Sequence, residues 1–371
     1  MSLRTFCLTI YTLILLILCP PAISAAAPAG APPPPEYFHA RIVSVKVLPP
    51  SRPAEIHPPE EIQLQLTSGP DTGKTIQVLH RPSPMKEVVN LQFKEGDAVI
   101  VALSHRGTGL AYSIADFERL PYVYALAALF CVMLFLIGGR SGIKSLIVIA
   151  LPLFLIFRVM LPLVLEGKEN ILMVVLLLSL FTASVTQILV SGWNEKTFGA
   201  ILGAAGGLLA ASFLSWASIH FMHLSGLESE EAVTLRAMYL PDIDFQDILF
   251  AGLLVGALGT VMDTAISVAS SQYEVKTARP DIHFRELFIS GVRIGRDIMG
   301  TCSNTLILAY LGSFLPLILL IASQQNAPLP VIMNSGLIVT ELVRSITGCI
   351  GLICTIPITS LTTAFCLTRR G

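Results

Sequence analysis

An acid stands alone in an apolar stretch, GLLVGALGTVMDTAISVASS, that begins at Gly252; the acid is Asp263. Gly252, Gly256, Gly259, Asp263, Ser267 and Ser270 follow one another at steps of three or four, so in a helix they share one small, polar face. Glycines let a second backbone come close. A charge left unpaired in hydrocarbon costs about 2.5–3.5 kcal/mol, so a carboxyl there must meet a partner or a water cavity. Such a face can hold an ion or an exchangeable proton, or hydrogen-bond a small polar solute inside a membrane. A second run, SGVRIGRDIMGTCSNTLILAYLGS, puts Asp297, Thr301 and Asn304 on one face, and its Arg293, Arg296 and Asn304 are the expected partners of Asp263. Glu341 and Arg344, three apart, are expected to pair with each other, at an interface or in a site. Ser345, Gly348, Thr355, Thr359 and Thr362 extend a small polar stripe along the same segment. The candidate site residues are therefore Asp263, Ser267, Ser270, Arg296, Asp297, Asn304, Glu341 and Arg344.

Several other chemistries lack their residues. An intramembrane aspartyl protease wants Gly-x-Gly-Asp, but Gly259, Thr260, Val261 and Met262 precede Asp263. Gly-x-Ser-Gly with a histidine is absent, as is a phosphate-binding glycine loop. His39, His57, His80 and His105 have no ligand spacing and read as surface residues; His220, His223 and His283 fall at span ends or in a connector. No cysteine falls between Ala26 and Leu120, so that segment has no disulfide, and no cysteine spacing suggests zinc. No basic patch with interleaved aromatics supports nucleic-acid binding. The expectation is a protein that is not an enzyme, with no cofactor and no metal.

The elements that must position these residues are membrane spans. Hydrophobic residues are 53% and charged ones 13%, with a mean hydropathy of +0.73. Seven spans read at 121–138, 145–165, 170–190, 198–221, 248–270, 298–322 and 345–366. Pro152, Pro162, Pro316 and Pro357 can open carbonyls in four of them. Arg158 lies in the second span, at a depth too different from Asp263 for a direct pair. Gly199, Gly203, Gly207 and Ala211 form a ladder on the fourth span whose best reading is close packing. From about Phe284 an amphipathic helix is expected to run into the sixth span, with Phe284, Leu287, Phe288, Gly291 and Gly295 on one face and Asp281 as its N-cap.

Before the spans, Arg4, a short apolar core and PPAISAAA read as a signal peptide over 1–25, cleaved near Ala25 or Ala26. An Ala/Pro linker follows over 26–35. Within 36–120, ARIVSVKVL, EIQLQLTSG, GKTIQVLH and GDAVIVAL alternate as half-buried strands, pointing to a small exported all-β domain of about five strands, OB-like or a sandwich. With that domain outside, Arg140, Lys144, Lys196, Lys276, Arg279, Arg285, Arg293, Arg296, Arg369 and Arg370 fall inside, while the outer loops keep only Lys168 and Arg236. The fold class is mainly α: a polytopic helical membrane bundle of about seven spans (121–371) behind a small β-domain. The expected location is a cell membrane, with the β-domain outside and a cytoplasmic C-terminus.

The strings GTVMDTAISVASSQYEV, FRELFISGVRIGRDIMGTCSNTLILAYLGSFLP and ELVRSITGCIGLICTIPIT resemble those of the YibE/F family of bacterial membrane proteins, and the resemblance covers most of the chain. Asp263, Ser270, Ser271, Arg296, Asp297, Asn304, Glu341 and Arg344 occupy its motif positions. The resemblance implies a multi-span protein with an exported β-rich segment, of a kind labelled uncharacterised or transport-related, and it carries over no reaction. Two functions remain in view. One is transport or channel-like passage of a small solute or ion around Asp263; the absence of a clear internal repeat weighs against it. The other is a membrane scaffold or regulatory component whose β-domain binds an envelope partner. The partners expected are the lipid bilayer, an unknown small solute or ion, and an envelope protein or a second copy.

Overall fold

The computed structural model describes residues 36–49, 59–69, 71–80, 93–106, 109–166, 170–323 and 328–369. The signal peptide and the Ala/Pro linker lie outside the described residues. The chain divides into two compact units, one ending at Val132 and the other running from Met133 to the C-terminus.

The first unit is one antiparallel sheet of five strands: β1 (Glu36–Val47), β2 (Glu60–Leu66), β3 (Thr75–His80), β4 (Ala98–Arg106) and β5 (Gly109–Phe117). Their order is β3-β2-β1-β4-β5, and β3 also approaches β5, so the sheet curls into a half-barrel. That is the connectivity of an OB barrel left open between β3 and β5, so the sandwich alternative is set aside. Strand alternation dictates the core: Ala40 and Ile42, then Ile62, Leu64 and Leu66, then Val78, Val99 and Val101 all point inward and are buried. Bulges between Ile42 and Ser44 and between Ile100 and Val101 supply the bend that curls the sheet. Phe93 closes one end against Phe117 and His80.

After the sheet a long helical run is broken at Gly139 (φ 52°) into α1 (Leu120–Gly139) and α2 (Ser141–Glu166). That φ is open to glycine and strained for other residues. Pro152 in α2 is followed by a π turn, Ile156–Met160, which carries Arg158. A proline removes one N–H from the ladder, and the wider turn takes up the slack. Then come α3 (Ile171–Ser191), α4 (Glu195–Phe221), a short α5 (Glu230–Met238), α6 (Phe245–Ala278), α7 (Phe284–Ser313), α8 (Leu315–Ser323), α9 (Leu329–Met333) and α10 (Gly336–Thr368). Asn170, Asn194 and Asp244 cap α3, α4 and α6 by accepting from Met173, Thr197 and Gln246 backbone N–H groups.

Six helices are long and apolar enough to cross a membrane, and α7 with α8 makes a seventh as a pair bent by 61°. The sixth span is thus not a straight 298–322: its helix starts at Phe284 and turns at Phe314, two residues before Pro316. The expected amphipathic entry is present, with Leu287, Gly291 and Gly295 buried and Arg285, Glu286 and Arg293 exposed. Two details differ. His283, not Asp281, is the N-cap residue, without a side-chain cap bond, and Phe284 is exposed rather than buried. Around α6 lie α3, α4, α7 and α10, with Val175, Leu208, Leu254, Val261 and Ala265 at the centre. By contrast few residues of α1 and α2 are buried within the chain.

Candidate functional site

The bundle interior is closed by a seam between α4 and α10. A Cβ at Gly199, Gly203 or Gly207 would overlap the hydroxyl of Thr363, Thr359 or Thr355 respectively, so each glycine receives one threonine at four-residue steps. Thr362 Oγ1 also donates to the Gly199 carbonyl at 2.9 Å across the seam. The ladder expected on the fourth span is therefore packing, as read. The polar stripe on the last span is its other half, with Thr355 and Thr359 fully buried rather than facing a cavity.

Two amides in the interior escaped notice in the sequence. Gln272 on α6 is fully buried and donates through Nε2 to the Leu287 carbonyl of α7 (2.9 Å) and the Ser360 carbonyl of α10 (3.1 Å), tying three helices together. It fills the space that a side chain on Gly291 would need. Gln187 on α3 lies within 3.5 Å of the Met262 carbonyl. The Oε1 atoms of both are buried without a partner. A signal existed: a glutamine inside an apolar run is costly unless it bonds across helices.

The predicted site residues separate into two groups. Glu341 and Arg344 pair on α10 as expected, with Arg344 Nε 3.2–3.3 Å from the carboxylate oxygens and both side chains mostly buried. Across from them, Arg344 reaches α6: its Nη1 lies 3.1 Å from where a Cβ on Gly252 would stand, and the Tyr310 hydroxyl of α7 occupies that space at Gly256. These two glycines admit a guanidinium and a phenol between helices. Tyr310 was not foreseen, since one tyrosine near a span end has many ordinary explanations. Beside this cluster a cleft of about 320 Å³ opens between α7, α8 and α10, lined by Tyr310, Glu341, Ser345, Cys349 and apolar side chains.

The second group is Asp263, Ser267, Ser270, Arg296, Asp297 and Asn304. The sequence places the first three on one face of α6, and that holds, but the face is turned out of the bundle. Asp263 and Ser267 are exposed, and Ser270 is half-buried. On α7, Arg296, Asp297, Thr301 and Asn304 are exposed as well. None of Arg293, Arg296 or Asn304 bonds to Asp263; among the described residues its carboxyl has no hydrogen bond or ion pair. Neither Gly259 nor Gly300 has any atom within 4 Å of a would-be Cβ. A wider groove of about 800 Å³ lies elsewhere, lined by Trp193, Phe198, Phe284, Phe365 and Arg369, and takes in none of the predicted site residues. Among the described residues no group of three or more His, Cys, Asp or Glu could hold a metal ion.

These arrangements offer hydrogen bonds, one ion pair and an unpaired carboxyl at membrane depth, the equipment for holding an ion or polar solute. No curated protein and no solved structure matches the chain. A family model described as YibE/F-like protein matches residues 126–369, a stretch that contains all eight predicted site residues. With its membrane-crossing helices and this match over more than half its length, the chain is an integral membrane protein that belongs to the YibE/F-like family.

Proposed function

We propose that the protein serves transport or channel-like passage of a small solute or ion along the polar surface of α6 and α7 around Asp263. The observation that carries this reading is the unpaired Asp263 carboxyl, exposed on a membrane-crossing helix beside Ser267, with the neighbouring helix α7 also exposing Asp297, Thr301 and Asn304. A membrane helix gains nothing structural from a carboxyl without a partner, whereas a site for a cation, a proton or a polar solute needs one. The chain is no enzyme on this reading. It lies in the bacterial inner membrane with the β-unit exported, an orientation supported by the lysines and arginines of the short loops.

The test is flux in proteoliposomes under imposed H⁺, Na⁺, K⁺ and Cl⁻ gradients. Asp263→Asn is expected to melt normally in detergent and to lose at least tenfold in flux, while Phe213→Ala, on an exposed part of α4, stays near wild type. A normal melt with full flux in Asp263→Asn sinks the proposal. A second reading, a scaffold whose β-unit engages an envelope partner, draws support from the closed α4–α10 seam and from the separate fold of the β-unit. It expects no flux in any condition and retention of an envelope partner by the β-unit.

A further inference from the structure

We infer that the open face of α6 and α7 is an interface between copies of this chain. Its polar groups cannot rest against lipid: Asp263, Ser267, Asp297, Thr301 and Asn304 are exposed on helices that cross the membrane, with Arg296 on the same helix as Asp297. The glycines of the two helices divide into filled and open. Gly252 and Gly256 on α6 are filled by Arg344 and Tyr310, and Gly291 and Gly295 on α7 by Gln272 and Ile356. Gly259 and Gly300 look into empty space, as does Gly312 near the end of α7. The chain thus seats its own side chains against four of these glycines and leaves Gly259 and Gly300 for something outside it.

The occupant that fits is a second copy. The face carries both signs of charge, Asp263 and Asp297 with Arg293 and Arg296. Under a two-fold axis each patch meets its own image, so a face of mixed sign can be self-complementary, an arginine of one copy against Asp297 of the other, with Asp263 left to the pathway. Uncovered glycines let the backbones approach, and Asn304, Thr301 and Ser267 supply interhelical hydrogen bonds. Joined to the transport reading, on which this one step rests, the pathway runs between copies rather than through one chain.

The test uses the full-length chain in native membranes, with its cysteines replaced and single cysteines placed at Ser267, Thr301 or Asn304. Phe213→Cys, on an exposed part of α4, is the control. A bismaleimide should cross-link at least one of the three positions five-fold or more above Phe213→Cys. Gly259→Leu or Gly300→Leu, whose Cβ has no neighbouring side chain within 4 Å, should cut that cross-link about tenfold while leaving the melt intact. Cross-linking no better than the control at all three positions overturns the inference. So does an unchanged cross-link in both leucine variants. Efficient labelling of the three cysteines by a membrane-permeant maleimide without cross-linking would assign the face to lipid. Protection from labelling without cross-linking would assign it to another part of the same chain. Either outcome overturns the inference as well. The cross-link does not depend on flux, so each proposal can fail while the other stands.

Discussion

Glycine and hydroxyl residues at helical spacing occur in two places, and the fold treats them in opposite ways. Along α4 and α10 they are zipped shut, each of Gly199, Gly203 and Gly207 seating a threonine hydroxyl. Along α6 and α7 only part of such a set, Gly259, Ser267, Gly300 and Thr301, joined by Asp263, Asp297 and Asn304, faces outward. Polarity is thus no guide to burial in this protein. In water a polar face turns out and an apolar one turns in. In a membrane the surroundings are as apolar as leucine, so close packing and interhelical hydrogen bonds decide which face is covered.

Substitutions in the two regions should therefore differ most at glycine. Gly203→Leu, whose side chain must displace Thr359 and come within 2.8 Å of its Cα, is expected to cost about 3 kcal/mol or more. Gly300→Leu, with open space, should leave the melt of the detergent-solubilised monomer within about 0.5 kcal/mol. Equal damage from both would erase the distinction between a closed seam and an open face.

Gln272→Ala comes next. It removes two interhelical hydrogen bonds and leaves a hole where α6, α7 and α10 meet, and should lower stability by about 2 kcal/mol. A melt unchanged by this variant would show that the interior amide is incidental and that the seam holds the bundle alone.

A smaller effect, about 1–2 kcal/mol, is expected for Arg344→Ala, which strips the partner from Glu341. The loss stays below the ~3–5 kcal/mol of a fully buried pair because both side chains keep some exposure. A double-mutant cycle with Glu341→Gln should show coupling; additive effects would mean that the guanidinium acts through its contact with Gly252.

The smallest effect belongs to a polar group in water. In the β-unit the Lys74 ammonium, hydrogen-bonded to Asp71, holds that carboxyl below its ordinary range, and the Tyr112 hydroxyl adds to this at 3.3 Å. A carboxyl depressed in the fold contributes stability above its ordinary value, about pH 3.9, and loses it as pH falls through the lower folded value. The isolated segment 36–118 should melt cooperatively, without change on adding a reductant. Its stability should be flat near neutrality and decline in acid below about pH 4. Asp71→Asn should remove a small part of that acid decline, and an identical acid limb in both proteins would show that the pair contributes nothing.

The sequence by itself determined much here, because local spacing carried the information. Alternation over 36–120 placed the inward residues of the sheet, from Ala40 and Ile42 to Val99 and Val101. Three- and four-residue spacing paired Glu341 with Arg344 and read the α4 ladder as packing, while the row from Gly252 to Ser270 is covered at Gly252 and Gly256 and open at Asp263 and Ser267. Composition alone demanded membrane spans. Tertiary structure decided what periodicity leaves undetermined, namely which neighbour each face meets. A helical wheel does not say that Thr359 lands on Gly203, that Tyr310 and Arg344 fill Gly256 and Gly252, or that Gln272 reaches two other helices. Nor does it say that Asp263 turns away from the bundle. The physical reason is that a helix's period is local, while the cover over each of its faces comes from residues far away in the chain. Where lipid replaces water, hydrophobicity no longer tells inside from outside.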